Sequence, residues 1–307
     1  MEKNMKINFE HLKKRVEDAL EKTDLEFIRR NLLELKEPSI VSGVGGSSVV
    51  STFGAKILNQ KNHIITQSSE PRDFLYQNLS GFRNVLACSY SGNNYGVDLS
   101  FQNNLKKFLL SNNSFTDPDV TYLQYQTSID KERSFISLGA TLIPVSIFLD
   151  YYLDGNTDRI LELIEPTNFS FETAPITYEI FSGYDTSTSA KYLESTLVES
   201  GLAIPIVHDK YSYCHGRSTL STVQSSNAIY FDKETDFDKM MLEELKPYYN
   251  EIIVISSPSK DQVEADFHML VQSMYLTKYL AEQREKDLSK VDYSPITKKL
   301  YTYKGTI

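Results

Sequence analysis

The stretch Asn84-Val85-Leu86-Ala87-Cys88-Ser89-Tyr90-Ser91-Gly92-Asn93-Asn94 passes from a short apolar run into a loop dense in hydroxyl, amide and glycine groups. An apolar run of that length, closed by a turn signal, predicts a strand buried on both faces, as in a parallel sheet. Gly92 lets the backbone approach a neighbour or a ligand closely. Ser89, Ser91 and Asn94 bring side chains that donate hydrogen bonds.

Upstream, the same arrangement occurs once more. Ser39-Ile40-Val41-Ser42 reads as a strand and runs into Gly43-Val44-Gly45-Gly46-Ser47-Ser48, with a helix expected over 49–58. A further short strand is expected over 63–66, and an apolar helix over 139–152. The first thirty-odd residues read as helix, with Phe9, Leu12, Val16, Leu20, Leu25, Ile28 and Leu32 roughly at helical spacing among charges. Strands alternating with helices indicate an α/β fold with a parallel sheet.

The pattern then returns. Ile40-Val41-Ser42-Gly43 matches Ile180-Phe181-Ser182-Gly183 at an offset of 140 residues, and both lead through hydroxyl-rich turns into helix. Glu251-Ile252-Ile253-Val254-Ile255-Ser256-Ser257 echoes the strand that ends at Ser89. A duplicated unit follows from these matches. Gly155, Asn156, Pro166 and Asn168 mark the linker between the copies.

In an open parallel sheet, ligands sit beyond the carboxyl ends of the strands. The first loop supplies Gly45, Gly46, Ser47 and Ser48 at the start of a helix, where free amides and the dipole favour an anion. The second supplies Ser89, Ser91, Gly92, Asn93 and Asn94. Each loop taken alone also reads as a capped turn; two of them on strands of one half favour a phosphate site. A dinucleotide fits less well, because Ser48 stands where the third glycine of that fingerprint belongs.

The chain of 307 residues is 40% hydrophobic and 24% charged, ordinary values for a globular protein. Its net charge of −9 disfavours nucleic acid and anionic membranes as partners. No run approaches the roughly 20 apolar residues of a membrane span, and no signal-peptide core is visible, so a cytoplasmic location is expected. Two cysteines, Cys88 and Cys214, make a disulfide scaffold unexpected. No metal-ligand spacing stands out, and neither metal nor organic cofactor is expected.

Ser89-Tyr90-Ser91-Gly92-Asn93-Asn94 resembles the S-x-S-G-x-T loop of the tandem SIS (sugar isomerase) domain family, and 43–48 resembles its earlier G-x-G-x-S turn. Asn94 replaces the usual Thr, and Gly96 stands where Glu is frequent. Glu132-Arg133 with Gly139 and Pro144 is similar to the segment carrying a catalytic Arg or Glu in different members. Cys214-His215-Gly216-Arg217 is similar to an H-G-P segment, with Arg217 for Pro. The tail through Tyr279-Leu280-Ala281, Asp292, Pro295 and Lys298 is similar to the family's closing helix and tail. Members include the isomerase domain of glucosamine-6-phosphate synthases, fructosamine-6-phosphate deglycases and phosphoglucose/phosphomannose isomerases.

The resemblance implies two flavodoxin-like αβα subdomains of SIS type in tandem, over 1–155 and 156–307. It implies a sugar-phosphate aldose–ketose isomerase, or a fructosamine-phosphate deglycase or deaminase, working as a homodimer. Glu199 and His215, sixteen positions apart, match the spacing of the family's catalytic Glu and His. His suits ring opening because its pKa lies near neutrality, and Glu suits proton transfer between C1 and C2. Arg133 would stabilise the enediolate. Glu194 competes with Glu199, His208 with His215, and Glu132 and Lys298 are additional candidates. The bland alternatives are a solvated helix-end carboxylate for Glu199 and an ion-pair partner for Arg133. SIS units also serve as non-catalytic sugar-phosphate sensors, the alternative reading, although no helix-turn-helix domain is expected here.

Overall fold

A computed structural model describes residues 3–114, 116–129, 132, 134–172, 174–223, 226–290 and 294–297 of the chain. Three helices open it: α1 (Lys3–Glu10), α2 (Leu12–Lys22) and α3 (Leu25–Leu33). The expected N-terminal helical segment is thus divided, with Asp24 accepting from Phe27 N to start α3.

The first sheet contains β1 (Ser39–Ser42), β2 (Thr66–Ser69), β3 (Asn84–Cys88), β4 (Lys106–Ser111) and β5 (Val120–Gln124). All its pairings are parallel, in the order β2-β1-β3-β4-β5. That is the flavodoxin-like order. Every residue of β1 and β3 is buried, including Ser39, Ser42 and Asn84 at their ends, as central strands of a parallel sheet covered on both faces require. Between the strands lie α4 (Gly46–Asn62) and α5 (Tyr95–Ser100), and α6 (Gly139–Tyr152) follows β5.

After α7 (Thr157–Glu162), the second sheet forms from β6 (Thr177–Ser182), β7 (Ile204–Asp209), β8 (Asn227–Asp232) and β9 (Ile252–Ser256). It is also parallel, in the order β7-β6-β8-β9, repeating the first four strands of the other sheet. Its helices are α8 (Ser187–Glu199), α9 (Asp236–Leu245) and α10 (Gln262–Gln283). The expected boundary at 155/156 falls in the turn between α6 and α7. Among the described residues, no helix is long and apolar enough to cross a membrane.

Two expectations need correction. The strand expected over 63–66 begins only at Thr66: α4 runs on to Asn62, and His63 closes it in the left-handed region at φ 56°. β2 is an edge strand of sequence Thr-Gln-Ser-Ser, so it carries no apolar signal. The match of 40–43 with 180–183 is structural, because both segments belong to the first strand of their sheet. The match of 251–257 with the strand ending at Ser89 is not. β9 stands fourth in its sheet and corresponds to β4, whereas the counterpart of β3 is β8. A short apolar run ending in serines suits any buried parallel strand and does not fix which one it is.

The two sheets share one apolar core, which includes Val41, Leu86, Phe53, Phe148, Ile180, Leu193, Ile229 and Phe267. The helices between them carry it: α4 packs on α6 and α8, and α8 packs on α10. α4 and α6 come so close at Gly54 that an added Cβ would lie 2.6 Å from the Phe148 ring. Across the junction, the buried Lys56 Nζ of α4 lies 2.5 Å from Asp266 Oδ2 of α10. Asp266 Oδ1 accepts from Ser189 N at 3.0 Å and Ser189 Oγ at 2.6 Å, on α8.

A buried charge left without its partner is strongly destabilising. Lys56→Met therefore lowers unfolding stability by about 3–5 kcal/mol in urea denaturation, because Asp266 stays buried while its cation is gone.

Candidate active site

At the carboxyl end of β1 the chain turns through Gly45, at φ 58° and ψ −128°, into α4. A residue with a Cβ is strained at that φ, which explains the glycine. Ser47 and Ser48 then enter the first turn, with their amides donating to Val44 O at 3.1 Å and Gly45 O at 2.9 Å. Beside them, the loop after β3 is held by its own side chains. Ser89 Oγ accepts from Gly92 N at 3.1 Å and from Asn94 Nδ2 at 2.9 Å. Asn94 Oδ1 accepts from Val97 N at 3.1 Å and so caps α5. Gly92 sits at φ 70°, and a Cβ there would lie 2.7 Å from Ser111 Oγ. Asn113 Nδ2 donates to Ser91 O at 3.1 Å, while Asn93 is exposed at the tip.

Ser47 and Asn94 face one cleft, together with Gly43, Val44 and Gly96. Its volume is about 10 Å³, room for about one water. The Val44 side chain narrows it, with Cγ2 2.9 Å from where a Gly96 Cβ would be. Ser89 and Asn94 are engaged with each other, and Ser91 does not line the cleft. The expected loops thus adjoin at the switch point between β1 and β3, in a closed arrangement.

Glu132 lies next to this loop. Its carboxylate accepts from Leu138 N at 2.9 Å, Gly139 N at 2.7 Å and Ala140 N at 3.3 Å, so it caps α6. With Arg15, Tyr90 and Thr127 it lines a cavity of about 10 Å³ on the far side of the Ser89–Asn94 loop. Burial pushes the Tyr90 hydroxyl pKa up, and the nearby Glu132 charge adds to this while Arg15 opposes it. Ser137 and Thr141, joined by a 2.8 Å hydrogen bond, press on Gly46, so the starts of α4 and α6 meet.

Glu199 ends α8, and although its side chain is largely exposed, the protein mass beside its carboxyl pushes the pKa above the ordinary glutamate value. Two helical turns earlier on the same face, Tyr192 is buried, and its hydroxyl has no hydrogen-bond partner among the described residues. Burial pushes the Tyr192 pKa well up, and both Glu132 and Glu199 add to it. The charges of Glu132, from the first half, and Glu199, from the second, both act on the Tyr192 hydroxyl, and Glu132 and Tyr90 line one cavity.

His215 is elsewhere. β7 is six residues long, and at a rise of about 3.3 Å per residue it separates the end of α8 from the loop holding His215 by roughly 15–20 Å. His215 is exposed in a turn, with its amide on Ser212 O at 3.0 Å. Glu199 and His215 are thus not brought together within one chain. Glu194, the competitor of Glu199, faces a separate groove along α8.

His208 is a correction. Its ring is buried within the second sheet, with Nε2 2.9 Å from Glu179 Oε2, and Tyr249 donates to the same carboxylate oxygen at 2.8 Å. A ring sealed in this network does not open a sugar. Arg133 and Lys298 lie outside the described residues. Tyr90, Tyr192, Ser137 and Thr141 belong to the site region without having been singled out by the sequence. The hydroxyl-bearing start of α6 was the available signal for the last two.

Glu132→Ala removes the carboxylate that satisfies three amides of α6. A loss of about 1–2 kcal/mol follows, read by urea denaturation.

No protein-family model and no curated protein matches the chain. Solved structures do. The C-terminal domain of glucosamine-fructose-6-phosphate aminotransferase from Francisella tularensis superposes with a TM-score of 0.73 at 11% identity, covering 94% of this chain and 98% of that one. Tagatose-6-phosphate ketose/aldose isomerase from Escherichia coli gives 0.72 at 13% identity, covering 95% and 96%. Glucosamine-6-phosphate deaminase from Thermotoga maritima gives 0.68 at 14% identity, covering 95% and 97%. At such identities the likeness is one of architecture, and over nearly its whole length this chain has the two-sheet α/β fold of the SIS-domain phosphosugar isomerases.

Proposed function

We propose that the chain acts on a sugar phosphate by enediol-type proton transfer, as an aldose–ketose isomerase or a fructosamine-phosphate deglycase or deaminase. The observation that carries this reading is the pair of hydroxyl and amide loops after β1 and β3, whose Ser47 and Asn94 face one cleft, together with a Glu199 carboxyl of raised pKa at the end of α8. The fold shared with phosphosugar isomerases and a glucosamine-6-phosphate deaminase supports the same substrate class.

The phosphate group would be held by Ser47, Ser48, Ser89, Ser91 and Asn94, with Gly45, Gly46, Gly92 and Asn93 shaping the backbone around it. The closed cleft must widen for this, by movement of Val44 and exchange of the Ser89–Asn94 hydrogen bond for bonds to phosphate. In the aldose-to-ketose direction, the Glu199 carboxylate takes the proton from C2 and returns it to C1. A second proton passes from O2 to O1, so no redox partner is needed. A positive charge such as that of Arg133 or Lys298 would stabilise the enediolate.

Ring opening falls to His215 in this reading, contributed by a second copy of the chain. The homodimer is thus part of the proposal, with two shared sites. The separation of Glu199 and His215 in one chain is also what favours the alternative, a sugar-phosphate sensor without turnover.

Glu199→Gln lowers kcat by about 10²–10⁴-fold on the active member of a sugar-phosphate panel, while calorimetry shows the ligand still bound. Because burial raises the Glu199 pKa, the base form appears only at higher pH. The acid limb of kcat/KM lies above the ordinary glutamate range of about 4.3. Binding without turnover by the unaltered protein supports the sensor instead.

Mixing Glu199→Gln with His215→Ala chains separates the two arrangements. Random exchange restores about a quarter of full activity if each site draws on two chains. No recovery means that the His215 of one copy does not serve the Glu199 of another.

A further inference from the structure

A second groove lies in the other half, away from the loops after β1 and β3. It runs between α8 and the edge strand β7, with a volume of about 500 Å³. That falls within the range of about 300–1,000 Å³ typical of small-molecule sites, and far exceeds the water-sized cleft at Ser47 and Asn94. Residues 205–207 of β7 form an apolar wall. Lys191, Glu194, Arg217, Ser182 and Ser187 supply the polar groups.

Lys191 is the unusual member. Its ammonium has three donors, yet it makes a single hydrogen bond among the described residues, at 3.3 Å to Thr52 Oγ1 of α4, and no ion pair. Burial lowers its pKa, and the fields of Glu70 and Glu194 only partly oppose that. Burial also raises the pKa of Glu70. Arg217 holds its place through Nη1, at 3.3 Å from Val207 O and 3.4 Å from His208 Nδ1, which leaves its other donors for the groove. Two cations thus face one lining carboxylate, in a chain whose net charge is −9.

We infer that this groove binds a small anionic ligand carrying hydroxyls, a phosphorylated or carboxylated polyol. Its anionic group sits between Lys191 and Arg217, and its hydroxyls reach Ser182, Ser187 and Glu194. An anion there completes the donors of a half-buried ammonium, which is the condition under which a charge-assisted hydrogen bond is strong. The site is distinct from the phosphate loops proposed for turnover. It meets the first-half loops through Thr52, whose hydroxyl donates to Ser48 O at 2.9 Å in the first turn of α4, and it shares α8 with Glu199.

Inorganic phosphate is the probe, titrated by calorimetry at constant ionic strength. The first-half loops are disabled by Ser47→Ala with Ser89→Ala, so failure of the turnover site does not affect the result. That protein is expected to retain one phosphate per chain, and adding Lys191→Met weakens it at least tenfold at unchanged Tm. Arg217→Gln on the same background does the same, and serves if the lysine variant does not fold. The inference is overturned if the background protein binds no phosphate, or binds it equally well with and without Lys191. It is equally overturned if Lys191→Met changes only the monomer–dimer equilibrium, since the groove would then be a contact between copies.

Discussion

The ion pair between Lys56 and Asp266 joins the two halves at the point where their helices meet. Its cation comes from α4, which begins at the first serine loop, and its anion from α10, the long closing helix. Asp266 also fixes the start of α8 through Ser189. Three helices are thereby tied at one buried carboxylate, and α8 is the one that ends at Glu199. Two charges taken from water hold only when each is fully partnered, so the junction tolerates little sliding. The position of Glu199 relative to the first half follows from that constraint.

Parallel topology imposes the second constraint. All strands of a sheet point one way, so loops that follow strands gather at one edge and the ends of returning helices gather at the other. Ser47, Ser89 and Asn94 follow β1 and β3 and come together. Glu199 ends a helix and His215 follows a strand, so within the second half they must lie apart. The separation is a property of the fold.

The polar groups of the second half divide by burial. Glu179, His208, Tyr249 and the Lys210–Asp238 pair are sealed in the interior with mutual partners. Such networks stabilise a unique packing when every member is satisfied. Lys191 and Arg217 differ, because they border an open groove with donors to spare. The contrast between satisfied interior pairs and under-used cations at a cavity separates structural polarity from a candidate ligand site.

Much of this was legible in the amino-acid order. The apolar centres of β1 and β3 and the return of the pattern after 140 residues follow from burial on both faces of a parallel sheet, and the helix over 139–152 from burial all round, which leaves a compositional trace. β2 left none, because an edge strand of polar residues looks like a loop. The family resemblance suggested Glu199 and His215 as a pair, but distance along the chain does not reveal that a strand's full length stands between them. Nor did it show Glu132 capping α6, His208 sealed against Glu179, or Tyr192 buried within α8. Those placements depend on residues far apart in sequence that the packing of helices and sheets brings side by side, and only the tertiary structure decides which of them meet.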